Sequence, residues 1–409
     1  MTYNPLRLSI PGFCMSCLVR RIQLLLAGLL LACCSSLAIG ADPLASLDQH
    51  FRDTLQEHGV PGGAYAVVRD GQIEKVGTFG VRRVGSRAPV TPNTVFRTAS
   101  VSKTFAAQLT AMVVADGHLR WDDPVLRFVP ELRMQDPAHA RQLQLHHLLS
   151  QTTGIVPNAF DNLLNANTPL DRIVPHFANV QPLCAPGACY TYQNVLFALI
   201  EPAIEQSTGR SFEELMRERL LEPLGMHQSS VGREAFLAEL DRATPHVRRA
   251  QGRVWTPVEV TESYYLVPAS AGVNASVLDL AQWLIAQKGY RPDVIDPGVI
   301  GPLKEKRVRT VRELRRGAWG AIIDDAHYGL GWRIFTAGEE SIFMHNGWVR
   351  GFVAHISYSG DRRVGLVVML NGESRALGEI SAQFWREQLA QPYPQLVVDV
   401  TSDGVKLSR

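Results

Sequence analysis

β-prone runs stand at both ends of this sequence and a long helical stretch stands between them, and that order constrains the fold more than any other feature. Ala64 to Val68 is apolar and β-prone, Arg69-Asp70-Gly71 reads as a turn, and Ile73 to Val81 returns with alternation, so residues 63–83 are expected to form a hairpin. From Ser100 the period changes. Phe105, Ala106, Leu109, Met112 and Val113 recur at helical spacing, and Gly117 closes the segment. Residues from about 101 to 290 read as mostly helical. Ser211-Phe212-Glu213-Glu214 is a capping box that opens an amphipathic helix toward Leu221, and Val277 to Gln287 reads as another helix. Strands return at Trp332 to Phe335, Ser341 to His345, Phe352 to Tyr358 and Arg363 to Leu370, followed by a helix from Ala376 to Leu389. The economical solution is an α/β (α+β) fold. One antiparallel sheet built from both termini is flanked by helices, and a helical subdomain is inserted. The sheet part is expected at about 42–99 and 320–392, the helical part at about 100–319, and a tail at 393–409 as a strand pair or a loose end.

Charge narrows the function classes. Among 409 residues, 41 basic against 39 acidic give a net charge of +2, and no basic run asks for a nucleic acid. Mean hydropathy near zero excludes a multispanning membrane protein. The N-terminus differs from the rest. Arg20-Arg21 precede a charge-free run from Ile22 to Ala38, with small residues near Gly40-Ala41. That pattern reads as a secretory signal over 1–41, with Met15 as a second start, and implies a periplasmic or secreted protein without a membrane span once the signal is removed. A retained anchor is the alternative, and a lipid on Cys33 of Leu30-Leu31-Ala32-Cys33 would tether the chain instead. Cys14, Cys17, Cys33 and Cys34 lie in this leader; only Cys184 and Cys189 remain, in Cys-Ala-Pro-Gly-Ala-Cys. An oxidising compartment allows them to pair across a Pro-Gly turn; the alternative is two free thiols. No second Cys/His pair accompanies them as a metal knuckle requires.

Three short patterns carry chemistry. In Ser100-Val101-Ser102-Lys103, a helix start puts Ser100 and Lys103 on one face. A serine hydroxyl is a weak nucleophile until a base takes its proton, and a lysine is that base only if burial or nearby positive potential lowers its pKa. The same start offers the Ser100 N–H to a developing oxyanion. In Tyr192-Gln193-Asn194, the tyrosine can relay a proton as phenol or phenolate, and the asparagine can hold a substrate amide by donor and acceptor together. His345-Asn346-Gly347 ends a predicted strand, where Gly347 admits a substrate carbonyl to the strand edge. Trp348 N–H would be the second oxyanion donor, and His345 would point into the cleft as a donor or cation. Each pattern alone is weak, because a capping serine, a buried tyrosine or a satisfied strand-end histidine explains it equally well. The twelve histidines show no H-E-x-x-H or H-x-H pattern, and His146 and His147 are expected on different helix faces, so no metal and no cofactor is expected.

Order and spacing together are far more specific. The chain resembles the penicillin-recognising serine enzymes, with their S-x-x-K motif, and within them the class C β-lactamase branch, which also holds D,D-carboxypeptidases, D-aminopeptidases and esterases. Phe96 to Phe105 carries the resemblance. Leu148 to Gly154, Pro223-Leu224-Gly225-Met226, Tyr328-Gly329-Leu330-Gly331-Trp332 and Gly351-Phe352 support it, so that it covers roughly residues 45–390. The resemblance implies a β-lactamase/transpeptidase-like fold and an acyl-enzyme on Ser100, with Lys103 and Tyr192 sharing the proton traffic. It also implies that Ser100 and Trp348 N–H groups hold the oxyanion. Asn194 would orient the acyl amide, and His345 and Asn346 would face the substrate carboxylate or leaving group. The substrate would be a β-lactam or a related ester or peptide, with a non-hydrolysing penicillin sensor as the reading from another class. One departure stands out: class C β-lactamases begin the third motif with lysine, where this chain has His345, a full cation only below a pKa near 6.5 if unperturbed. Gln151, where relatives often carry histidine, reads as structural, and nothing in the sequence sets an oligomeric state.

Overall fold

The computed structural model describes residues 1–2, 44–248, 254–315, 317–392, 397–401 and 404–408. The expected signal, its cleavage site and Cys33 therefore lie outside the described residues. The chain divides into Met1–Ser46 and Leu47–Arg409, and the second unit holds the sheet and the site described below.

An eight-stranded antiparallel sheet forms its spine. We number the strands β1 (Gly62–Arg69), β2 (Gln72–Gly80), β3 (Val308–Arg309), β4 (Asp325–Tyr328), β5 (Arg333–Ala337), β6 (Glu340–Val349), β7 (Phe352–Ser359) and β8 (Val364–Leu370). Their spatial order is β2-β1-β8-β7-β6-β5-β4-β3, with Gly63 opposite Leu370, so the first and last of these strands in the sequence pair next to the β2 edge. The β1–β2 turn works because Asp70 and Gly71 both adopt positive φ, 52° and 79°, as a two-residue hairpin demands. β1 and β8 are buried along almost their whole length, because helices cover both faces of the sheet. Ala45–Glu57 and Ala376–Ala390 cover one face: Phe51 packs edge-on against Tyr65, and Trp385 Nε1 donates to Ser357 Oγ at 2.7 Å. The other face carries Val277–Gln287 and Ser102–Ala115. They are locked together by Phe105 stacked on Trp283 at 3.9 Å and by Gln287 Nε2 donating to Gln108 Oε1.

The helical middle is real, with two small sheets within it. Phe96–Arg97, Val273–Ala275 and Ser230–Val231 form one, and His246–Arg248 pairs with Trp255–Pro257 in the other. Ser211 caps its helix through Glu214 N, as its pattern implied. The large sheet resumes at Val308 rather than at about 320, because the edge strands β3 and β4 are too short for alternation to register. In the tail, Val397–Thr401 pairs with Gly404–Ser408. Among the described residues, no helix is long and apolar enough to cross a membrane.

Candidate active site

Ser100 does not open the helix itself. It sits in a tight 3₁₀ turn, Ala99–Val101, and the α-helix starts at Ser102. Ala99 takes φ +51°, a left-handed conformation that costs a non-glycine residue about 1 kcal/mol or more. The surroundings hold it there. Thr98 N and Oγ1 both donate to Val273 O, and β6 packs directly on the turn. At Gly347 a Cβ would lie 2.0 Å from Thr98 O, so only glycine lets this strand approach.

Lys103 follows one turn later and is fully buried. Its Nζ donates to Asn194 Oδ1 at 2.7 Å and to Ser270 O at 3.1 Å, and lies 3.4 Å from Ser100 Oγ. Burial lowers its pKa from 10.5 to about 7, with Asp161 opposing and Arg333 assisting. As a neutral amine it has two N–H bonds, both met by these oxygens, which leaves its lone pair for the Ser100 hydroxyl proton.

Tyr192 arrives from a loop rather than a helix. Gln151 clamps that loop: its Oε1 accepts from Gln193 N at 2.6 Å and its Nε2 donates to Gln193 O at 3.1 Å. Gln151 thus acts on backbone, as its structural reading implied. Cys184 and Cys189 form a disulfide at the base of the same loop. The Tyr192 phenol hydrogen-bonds Ser100, and its ring lies under Lys103 Nζ at 5.0 Å and Arg333 at 5.6 Å. Burial raises its pKa, against a pull from Arg333, so it is a phenol at neutral pH.

The third motif departs most from expectation. β6 runs on to Val349, so His345 lies inside the strand. His345 does not point into the cleft as a cation. It is 1% exposed, its Nδ1–H donates to Asn346 O at 2.8 Å, and its Nε2 accepts from Tyr328 OH at 3.0 Å. Burial first, then Arg333 and Lys103, hold its pKa well below 6.5, so the ring is neutral. Strand alternation sends the Asn346 side chain to the opposite face, where Oδ1 accepts from His355 Nδ1 at 2.6 Å. Asn346, Gly347 and Trp348 still line the cleft beside Ser100. Asn194 also lines the cleft, with Lys103 on its oxygen and its Nδ2 donating to Asp161 Oδ2 at 2.8 Å, which leaves one N–H and one lone pair of the amide.

The cleft has a volume of about 1000 Å³. Its charged lining, Asp161, Arg309, Arg312, Glu313 and Arg333, went unnoticed in the sequence. Arg333 on β5, paired with Glu313 at 2.8 Å, places its guanidinium over the Tyr192 and Tyr328 rings in the cleft. Its signal is a lone arginine in the apolar strand Trp332 to Phe335. Asp161 opens a short helix, Asp161–Asn165, that no sequence pattern marks. His146 and His147 also depart from expectation, with ring centroids 4.0 Å apart. Among the described residues, no group of three or more His, Cys, Asp or Glu side chains is placed to hold a metal ion.

Comparison with known proteins identifies relatives of the whole domain. A family model described as Beta-lactamase matches residues 47–390. Penicillin-binding protein 4 of Amycolatopsis lactamdurans is 27% identical over 370 residues, covering 87% of this chain and 95% of that protein. A beta-lactamase of Pseudomonas fluorescens is 24% identical over 356 residues, covering 80% and 92%. The octameric penicillin-binding protein homologue from Pyrococcus abyssi superposes with a TM-score of 0.76 at 24% identity, covering 86% of this chain and 78% of that one, which is a likeness of fold.

Proposed function

The chain belongs to the beta-lactamase family, and on that footing we propose that it is an exported serine hydrolase that opens β-lactam rings through an acyl-enzyme on Ser100. One observation carries the reading: the buried Lys103 Nζ, which donates to Asn194 and Ser270, lies 3.4 Å from Ser100 Oγ, so that its neutral form would turn its lone pair to that hydroxyl. Lys103 takes the hydroxyl proton as Oγ attacks the carbonyl carbon. The N–H groups of Ser100 and Trp348 hold the oxyanion. As the C–N bond breaks, Tyr192 gives its phenol proton to the leaving nitrogen and recovers one from Lys103. Water then adds to the ester, its proton returning through Tyr192, and Ser100 is freed. No cofactor enters these steps. The substrate carboxylate meets Arg333, since His345 is buried and neutral.

The names of the relatives, penicillin-binding protein 4 and beta-lactamase, support a β-lactam as the acyl donor. The neutral His345 favours a second reading, in which the same site prefers an ester or a D-amino peptide and β-lactams acylate it slowly. A non-hydrolysing penicillin-binding protein differs only in the last step. Export rests on the leader sequence, and the Cys184–Cys189 disulfide suits an oxidising compartment. The test is a hydrolysis panel on the purified protein, with and without chelator: a penicillin, a cephalosporin, a carbapenem, a nitrophenyl ester and a D-Ala-D-Ala peptide. Efficient chelator-insensitive β-lactam turnover supports the reading; turnover of ester or peptide alone replaces it with the second.

A further inference from the structure

The cleft is electrically lopsided. Arg309, Arg312 and Arg333 outnumber Glu313 in its lining, and Arg333, paired with Glu313 at 2.8 Å, overlies the Tyr192 ring at 5.6 Å. If Tyr192 protonates the leaving nitrogen, this basic part of the lining receives the leaving group. Asn194 separates it from the opposite, acyl side, and there the lining changes sign. Asp161 opens the short helix Asp161–Asn165 and lines the cleft with Asn194 and Tyr264.

Its carboxylate is half-satisfied. Oδ2 accepts from Asn194 Nδ2 at 2.8 Å and from Tyr264 OH at 3.3 Å. Oδ1 is enclosed and has no hydrogen-bond partner. Among the described residues no lysine, arginine or histidine forms an ion pair with Asp161, and Lys103 is held off by the width of the Asn194 amide. A carboxylate withdrawn from water with one oxygen unmet is costly, and a donor cation supplied by a ligand offsets that cost. The placement matches a substrate. Ser100 lies 3.4 Å from Lys103, which contacts Asn194, which contacts Asp161, so the carboxylate stands one amide's breadth beyond the acylation point.

We propose that Asp161 makes the acyl side of the cleft an ammonium subsite, selecting acyl groups with a free α-amino group: D-aminoacyl esters and amides, and β-lactams with an α-amino side chain. This rests on Ser100 as the point of acylation. Asp161 here is a specificity residue, and the chemistry at Ser100 does not pass through it.

The experiment uses non-covalent binding to the Ser100→Ala full-length protein, followed by calorimetry. Ampicillin and benzylpenicillin differ only by the α-amino group, and carbenicillin carries a carboxylate in its place. Ampicillin is expected to bind about 10-fold tighter than benzylpenicillin or better, as one charge-assisted hydrogen bond in a partly closed site gives, with carbenicillin weakest. Asp161→Asn in the same background keeps size and an acceptor for Asn194 and Tyr264 but removes the charge, and the ampicillin advantage is expected to vanish. A structural role alone would weaken all three ligands together. Equal affinities, no binding of any ligand, or a preference that survives Asp161→Asn overturns the proposal. If Asp161→Asn fails to fold, the ranking with Asp161 in place decides alone. Acylation of the Ser100 protein by the same three compounds, read by mass, is a separate arm. Selective binding without acylation overturns the Ser100 chemistry and leaves the subsite standing.

Discussion

Replacing Lys103 with methionine changes both what this buried position costs and how that cost varies with pH. Burial moves the Lys103 pKa from 10.5 to about 7. At about 1.36 kcal/mol per pH unit, that shift amounts to roughly 5 kcal/mol in full and roughly 4 kcal/mol at pH 7. The sign follows from where the proton sits. Below pH 7 both folded and unfolded chains carry it, and the folded state bears the whole penalty of a buried ammonium. Between 7 and 10.5 only the unfolded chain holds it, so the stability of the unsubstituted protein rises with pH; above 10.5 the penalty is gone. Methionine removes the penalty but strands Asn194 Oδ1 and Ser270 O, at about 1–3 kcal/mol each with no pH dependence. Lys288 and Lys304, lowered by burial to about 7 and about 8, cancel in the difference between the two proteins. Urea unfolding of both from pH 6 to 10 is the assay. The stability difference is expected to move in favour of the lysine protein by roughly 3–4 kcal/mol between pH 7 and 10. A flat difference refutes the lowered pKa, and with it the neutral amine proposed as base. The same pKa predicts that acylation of Ser100 rises with pH through a midpoint near 7.

Other perturbations follow from single contacts. Tyr192→Phe removes the hydroxyl that bonds Ser100 and is expected to slow both acylation and deacylation by about 10²- to 10⁴-fold in stopped-flow kinetics; an unchanged rate removes Tyr192 from proton transfer. Because class C β-lactamases carry lysine at this position, a side chain facing the cleft would make His345→Lys improve β-lactam capture near pH 8. With His345 buried against Tyr328 and near Arg333 and Lys103, the substitution instead puts a second cation into an enclosed site. It is expected to lower the melting temperature without raising kcat/KM, and a gain at pH 8 contradicts that placement. Cys184→Ser with Cys189→Ser opens a loop whose ends are 5 residues apart and is expected to cost about 2 kcal/mol in urea unfolding by loop-closure entropy. No loss would show that hydrogen bonds alone, such as Leu183 N to Gly154 O, hold the loop.

What the sequence revealed, and what it hid, follows from the range of the forces involved. Long periodic segments were legible: Val277–Gln287 emerged with its bounds intact, and the hairpin turn was marked by Asp70-Gly71. The proximity of Ser100 and Lys103 was legible because it is local, fixed by helix geometry. Arg333 and Asp161 were not, because each reaches the cleft from a distant segment and neither belongs to a spacing pattern. His345 was found as a position and misjudged in character. Its neutral state comes from Tyr328, Arg333 and burial, all supplied by the tertiary fold. Asn194 was found as a cleft residue, but its sharing between Asp161 and Lys103 was hidden, since they reach its amide from two other elements.

The most direct test of the central claim is intact-mass spectrometry of the protein mixed with a penicillin and quenched within a turnover, beside the Ser100→Ala variant. A Ser100 acyl-enzyme predicts an added mass equal to the whole penicillin, located by proteolysis on the peptide that contains Ser100 and absent from the variant. An adduct on another residue, or β-lactam hydrolysis that persists at an undiminished rate in Ser100→Ala, contradicts it.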